Sequence, residues 1–471
     1  MMKQSRFILS VTASALLLSG CNMAPKYVQP PAPVAPKWPQ GAAYDPATAE
    51  EAGLPWRSMI ANQKLRTIIE RMLENNRDLR ASLANVQSAR AQYRAQRSNL
   101  FPSLTADGSA SFTDRNSSVS GSNGSASGSG NNRYDANLGV SAFEIDLFGR
   151  LRNQTEAQFE SYLATQSGMR ATRLSLITET ATAYATLAAD KDLLRIAQDT
   201  EQSAARSVRL NKELLDSGLG AGANVESART ILAQAQSDIA NYTTQVAQDR
   251  NALNLLVGST VEEDLLPDSL ADLDSSIGIV PAGLSSQVLL QRPDVVEAEH
   301  SLKSANASIG AARAAFFPTI SLTATLGFAS SALSSLFDSG SRFLTASPSA
   351  SIPIIGGAQG ANVDYAKARR DYAVAIYEQT IQQAFRDVAN ALARRGTITD
   401  QRNAQARLVA AAQRSLALSE QRYRAGIAGF IETLTAQRTL YSARQSQIAA
   451  ELTDITNRFT LYSAIGSDDS I

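Results

Sequence analysis

The chain has one cysteine and one histidine in 471 residues. A single cysteine forms no intramolecular disulfide, and without several Cys or His there is no clustered ligand set for a metal. No GxxxxGK followed by Ser or Thr is present to cradle a phosphate, and no GxSxG to carry a nucleophile. Lys and Arg number 44 against 44 Asp and Glu, so the net charge is zero. A basic patch of the kind that nucleic-acid binding requires is missing. Aromatics make up only 6 %. Beyond the first twenty residues no apolar run is long enough for a transmembrane helix. Proline is absent from 103 to 266 and from 354 to the end, so nothing of that kind interrupts helices there. These absences leave an enzyme reading with no residues to carry it. The lone His300 falls on a polar face of a helical pattern and is expected to be solvated.

What is present is duplication. Residues 76–112 and 292–328 align without a gap, with Asp78/Asp294, Ser88/Ser304, Ala95/Ala311, Arg97/Arg313, Phe101/Phe317 and Pro102/Pro318 identical. The chain is therefore read as one architecture built from two similar halves. Each copy opens with a helical pattern. Leu65, Met72, Leu79, Val86, Tyr93 and Leu100 recur every seven residues, as do Val288, Val295, Leu302, Ile309 and Phe316. A sustained seven-residue stripe stays in line only where helices supercoil on neighbours. Alanines such as Ala298, Ala305 and Ala312 flank the second stripe and permit close approach.

Each helix stops at Phe-Pro, and the period changes from seven to two. Leu104, Ala106, Gly108, Ala110 and Phe112 alternate with Thr105, Asp107, Ser109 and Ser111, and Ile320, Leu322, Ala324, Leu326 and Phe328 alternate with small polar residues. A return strand follows in each half, over 134–146 and 343–354. The predicted strands therefore span about 103–112, 134–146, 319–328 and 343–354. Nine to eleven residues is about the length a tilted strand needs to cross a bilayer. Pro348 and Pro353 in the last strand predict locally irregular pairing there. The intervening 113–132 and 329–341, rich in Ser and Gly, bury too little apolar area to fold and are expected in water.

Long helical hairpins come next, 150–257 and 361–465. LDSGLGAGAN breaks the first and YRAGIAG the second, so Gly218 and Gly426 mark corresponding turns. An arm of this kind is about 100 Å long at 1.5 Å per residue, and Gly168 and Gly396 could kink it.

The N-terminus reads as a secretion signal over 1–20, with Lys3 and Arg6 before an apolar stretch. It ends in Leu18-Ser19-Gly20-Cys21, a bacterial lipobox that makes Cys21 the acylated first residue of the mature protein. Asn22 follows, not the Asp that commonly retains lipoproteins in the inner membrane. A proline-rich leader, Pro25 to Pro39, is expected to space the anchor from the body. The organisation is then signal peptide 1–20, lipidated segment 21–60, first repeat 61–258, linker 259–283, second repeat 284–466 and tail 467–471.

PAGLSSQVLLQRPDVVEAEHSLKSANASIGAARAAFFPTISLTATLGF (281–328), FEIDLFGRLRN (143–153) and RYRAGIAGFIETLTAQRTLYSARQ (422–445) carry a resemblance. The chain resembles the TolC-like outer-membrane factors, and within them the OprM/NodT lipoprotein branch of multidrug efflux systems. The resemblance implies a mainly α protein with a β-barrel portion: four strands per chain in a homotrimeric twelve-stranded barrel, continued by an α-helical periplasmic tunnel. Four strands alone leave open edges that cannot face lipid, which points to oligomers independently. The implied function is a passive exit duct in the cell outer membrane. Its implied partners are a periplasmic adaptor, an inner-membrane resistance-nodulation-division pump and, through acylated Cys21, outer-membrane lipid, with no cofactor and no nucleic acid. An outlet for type I protein secretion and a lipid-anchored coiled-coil scaffold without a pore are the alternatives.

The resemblance also implies acidic residues ringing the periplasmic end of the tunnel after the second turn. Glu432 occupies one such position, while Thr435 stands where many relatives carry Asp. Glu432 could instead be a solvated carboxylate paired with Arg422 or Arg424. Asp216 and Glu226, at the first turn, are weaker candidates for the same rim.

Overall fold

The computed structural model describes residues 22–44, 56–113, 131–278, 285–355 and 357–466. Cys21 and the expected signal peptide lie outside them, as does most of the first Ser/Gly loop. In chain order the elements are α1 (Trp56–Met59), α2 (Gln63–Asn75), α3 (Arg77–Ser98), β1 (Leu104–Thr113), β2 (Asn131–Ile145), α4 (Arg150–Asp216) and α5 (Gly222–Val257). They continue with α6 (Leu270–Asp274), α7 (Pro293–Ala314), β3 (Thr319–Ser330), β4 (Arg342–Ser351), α8 (Gln359–Arg424) and α9 (Phe430–Ile465). The chain divides into two compact units. One is Met1–Pro30, Val86–Thr165 and Ala298–Tyr377; the other is Pro31–Asn85, Gln166–Glu297 and Glu378–Ile471.

In the first unit the two Phe-Pro junctions are built alike. The amides of Phe101 and Phe317 donate to Ser98 and Ala314, three residues back, which tightens the last helical turn before Pro102 and Pro318. The strands form one antiparallel sheet in the order β1-β2-β3-β4. The pairing is irregular, but not at the prolines. β3 and β4 keep register straight through Leu322 opposite Pro348, and Pro353 lies beyond the strand. Pro348 lacks only its own N–H, and the register on either side of it is unbroken. The irregularity is a bulge in β2: register jumps between Val140 and Phe143, and Ala142 adopts φ 49°. The Ala142 amide donates to Thr323 Oγ1 at 3.0 Å. The bulge has a clear cause in the sequence. Strict alternation from Leu138 and Val140 would turn Phe143 and Ile145 to the polar face; one extra residue returns both to the apolar one.

The second Ser-rich loop, expected to lie unfolded in water, is folded. Two short 3₁₀ turns, Leu333–Ser335 and Ser339–Ser341, are tied by Ser330 and Ser335 hydroxyls at 2.7 Å and by Ser341 Oγ donating to the Ser335 carbonyl at 2.7 Å. Serine hydroxyls here add to a small apolar contact, with Leu336 buried and Phe337 packed on Phe328.

The helices of this unit adjoin in the order of the strands. Tyr93 of α3 packs on Phe159 and Tyr162 of α4, with ring centroids 5.1 and 6.4 Å apart. On α7, Ser304 Oγ donates to the Ala157 carbonyl at 2.7 Å, and His300 Nδ1 lies 2.6 Å from Glu160 Oε2. His300 is therefore a half-buried bridge between α7 and α4, and not the solvated residue its polar neighbours in sequence suggested. Nor is the leader a free spacer. Asn306 donates to the Pro25 carbonyl at 2.8 Å and Arg313 to that of Met23 at 3.3 Å. Tyr27 donates to Glu299 at 3.3 Å, and Gln29 links Glu299 to Tyr377 of α8. Gly310 makes room for it: a Cβ there would stand 2.7 Å from the Ala24 nitrogen.

The second unit holds the largest apolar core. Trp56, Leu65, Ile69 and Met72 pack with Tyr184, Leu253, Val257, Ile455 and Phe459. Asn62 and Asn76 start α2 and α3 by accepting the amides of Leu65 and Leu79, each at 2.9 Å. The stretch between the repeats joins this core through Val261, Leu266, Leu270 and Leu273, and Ile277 bridges to Ile60. Arg402 and Arg458 both pair with Asp274 and Asp454, fixing α6 against α8 and α9. Gly168 and Gly396 lie inside uninterrupted helices. At Gly168 a Cβ would meet the Glu297 carboxylate at 2.9 Å, so its role is close approach.

Candidate functional site

One candidate region is the sheet. Its register sorts residues into two faces. Leu138, Leu326 and Leu344 stand directly opposite one another in a single cross-strand row, and they are 51 %, 41 % and 74 % exposed. Val140, Ala324 and Ala346 form the next row, and Phe143, Leu322 and Pro348 the one beyond the bulge. The other face carries Thr105, Thr325 and Thr345, then Ser321 and Ser349, whose hydroxyls meet at 2.8 Å. Phe343 is the exception there, opposite the side-chain-free Gly327. Aromatic pairs close the apolar face at both ends. Phe112–Tyr134 and Phe328–Phe337 lie at the loop end, and Phe148–Phe317, stacked at 4.6 Å, at the helix end. An exposed apolar band between aromatic girdles, backed by a polar face, is the surface of a membrane barrel strand set. Among the described residues no helix is long and apolar enough to cross a membrane.

The other candidate region is the pair of hairpin turns, and both use one capping geometry. Gly218 and Gly426 have φ 74° and 72°. Their amides donate to Leu215 and Tyr423, and the following Leu219 and Ile427 amides donate to Leu214 and Arg422. This double bond with a left-handed residue is the Schellman motif, and glycine supplies it without steric cost. The residue after each glycine, Leu219 or Ile427, is 80 % or 71 % exposed.

Glu432 and Arg422 come together at 3.2 Å, both about half exposed. Arg424 turns instead to Glu420 at 3.7 Å. Thr435 donates to the Ile431 carbonyl within its own helix at 2.8 Å. Glu226 pairs with Arg229 at 2.6 Å, and Asp216 ends α4 exposed. The candidate carboxylates are thus distributed over two turns and mostly neutralised locally.

Sequence reasoning missed the contacts that join the two hairpins. Tyr423 Oη donates to Asn211 Oδ1 at 2.7 Å, and Asn211 is buried. Above it Gln437 reaches Ser207 at 3.1 Å, Arg438 reaches Thr230 at 3.0 Å, and Tyr441 donates to Asp238 at 2.7 Å. Burial and the Asp238 carboxylate push the Tyr441 hydroxyl up. Further along, burial raises both Asp190 of α4 and Asp249 of α5; with Asp249 beside it, Asp190 is pushed up to about 7. Tyr423 sits inside the RYRAGIAG motif and could have been singled out; nothing in the local sequence distinguishes Asn211 or Asp190.

Residues 68–259 and 284–467 match the family described as Outer membrane efflux protein. The chain belongs to this family. It is the outer-membrane channel of a tripartite efflux system, working with an adaptor and an inner-membrane pump, and not an enzyme. It is 41 % identical over 468 residues to the toluene efflux pump outer membrane protein TtgC of Pseudomonas putida, covering 98 % of this chain and 96 % of that one. It is 39 % identical over 459 residues to the cation efflux system protein CusC of Escherichia coli K12, covering 96 % and 97 %. The open-state MtrE channel of Neisseria gonorrhoeae superposes with a TM-score of 0.81 at 35 % identity, over 95 % of this chain and 98 % of that one.

Proposed function

We propose that three copies close a twelve-stranded barrel and continue it as an α-helical duct, through which a resistance-nodulation-division pump discharges drugs and other small toxic compounds. The supporting observation is the sheet: four strands with one lipid-compatible face and two unpaired edges. Lipid forbids such edges, so closure needs further copies. The duct is passive, and its cargo is set by the pump. Relatives named for toluene and for cations bracket the chemistry, and the sequence's likeness to the multidrug branch favours organic compounds. Cys21 is the acylated residue that anchors the chain to the outer membrane. The turns at Gly218 and Gly426 are the periplasmic gate, with Arg422, Glu432 and Thr435 at the second turn and Asp216 and Glu226 at the first. Their exposed Leu219 and Ile427 give an adaptor apolar contacts to grip.

Deleting the gene should sensitise cells to several unrelated drugs, with metal tolerance unchanged. The purified protein should have the mass of a trimer and conduct ions in planar bilayers. Sensitivity to a metal ion alone would overturn the cargo reading, and a non-conducting monomer the duct reading. Metabolic labelling with palmitate should mark the wild type and not Cys21→Ala; an unlabelled wild type rejects the anchor.

A further inference from the structure

The strand order leaves β1 and β4 as the sheet's two edges, and each is coupled to a helix. α3 leads into β1 across residues 99–103, and α8 leaves β4 across 352–358. Within this unit α3 adjoins α4, α4 adjoins α7, and Gln29 bridges α7 to α8, so the helices repeat the strand order. Joining β4 of one copy to β1 of the next must therefore lay α8 of the first beside α3 of the second.

The outward faces of these two helices match. On α3 the inner face is Val86, Ala89 and Tyr93; the opposite face carries Ser88, Ala91, Ala95 and Ser98, all exposed. On α8 the inner face is Val363, Ala366 and Tyr377. Opposite lie Ala361, Tyr365, Ala368, Tyr372 and Ala375, also exposed, with the tyrosines at 67 % and 57 %. Both outward sets follow alternating steps of three and four, the spacing of a knobs-into-holes seam. One offers only small residues and the other places a large ring every seventh position.

We infer that Tyr365 and Tyr372 of one copy are the knobs that lock the trimer, seating in holes formed by Ser88, Ala91, Ala95 and Ser98 of the next. Small residues let the two backbones approach to about 8 Å, and a ring then fills the space between. Arg369 already lies over one face of Tyr372 at 5.3 Å within its own chain. The tyrosine end of each copy meets the small-residue end of the next, so the contact is head-to-tail and a ring closes it. The inference rests on the trimeric reading and gives its helical seam.

The test uses cysteine pairs in the full-length lipoprotein. The helices run in opposite directions from the sheet, and Ala91 and Ala368 each lie near the middle of their outward faces. Oxidation of Ala91→Cys with Ala368→Cys should convert most of the protein to a covalent trimer on non-reducing gels. Gln92→Cys with Ala368→Cys should not, because Gln92 faces α4 through Gln158. Tyr365→Ala with Tyr372→Ala should lower the temperature at which the detergent-purified trimer dissociates, and the two Phe replacements should leave it near wild type. If the wild type is a trimer and the Ala91→Cys, Ala368→Cys protein gives no cross-link, the seam alone is overturned; absence of any wild-type trimer overturns the trimeric reading beneath it. A cross-link to the adaptor in place of a second copy also overturns the seam.

Discussion

Arg422 and Glu432 face each other at 3.2 Å across the second hairpin turn, one before Gly426 and one after it. Both are about half exposed, so the pair contributes little to stability, about 0–1 kcal/mol. Its importance lies in the charge at the turn. Arg422→Ala should uncover a carboxylate in every copy and increase cation preference. Glu432→Gln should do the reverse. Reversal potentials in asymmetric salt across planar bilayers measure both, and identical potentials in the two variants would remove these residues from the ion path.

Tyr423, unlike that ion pair, reaches across to the other hairpin. Its hydroxyl satisfies the buried amide oxygen of Asn211, while its ring packs on Phe430 at 5.3 Å. Tyr423→Phe keeps the packing and leaves the amide oxygen unpaired, a loss of about 1–3 kcal/mol. The expected outcome is a larger single-channel conductance with unchanged trimer content. An unchanged conductance would place the constriction away from this contact.

The repeat, the period change at Phe-Pro and the glycine turns were legible in the sequence because each is a local rule. Apolar spacing reports the buried face, proline ends the helix, and only glycine suits the left-handed cap. What escaped notice depends on partners far apart in the chain. Asn211 waits for Tyr423, and Glu160 for His300. The leader's docking onto Asn306 and Arg313 is a long-range contact of the same kind. At the bulge, two local signals competed: prolines in β4 drew the expectation of irregularity, whereas the shift of apolar parity from Val140 to Phe143 in β2 was the signal that governed pairing.

That bulge makes the face assignment testable. Leu326→Arg puts a charge in the centre of the leucine row and should destabilise the inserted barrel by about 2–4 kcal/mol. Thr325→Arg, one residue earlier, should assemble and lower conductance. Thr323→Val removes the acceptor of the Ala142 amide, so β2 should lose protection from hydrogen exchange around residues 140–143. Normal assembly of Leu326→Arg with failure of Thr325→Arg would invert the faces.

Asp190 and Asp249 supply the last prediction, a dependence on pH. Burial and the neighbouring Asp249 raise Asp190 to about 7, from an ordinary value near 3.8. A raised carboxyl binds its proton more tightly in the folded state than in the unfolded one. The stability it contributes is therefore complete below about pH 4 and is lost as pH rises toward 7. Asp190 is only partly buried, so solvent screening reduces the effect to about 1 kcal/mol. Asp190→Asn mimics the protonated form. It should raise the melting temperature at pH 8, change it little at pH 5, and flatten the difference between them. Tyr242, which also feels the Asp190 charge, provides a control: Tyr242→Phe should keep the wild-type slope. A wild type whose melting temperature does not fall between pH 5 and pH 8, or an Asp190→Asn protein with the same slope, would show that the two carboxylates do not share a proton in this wall.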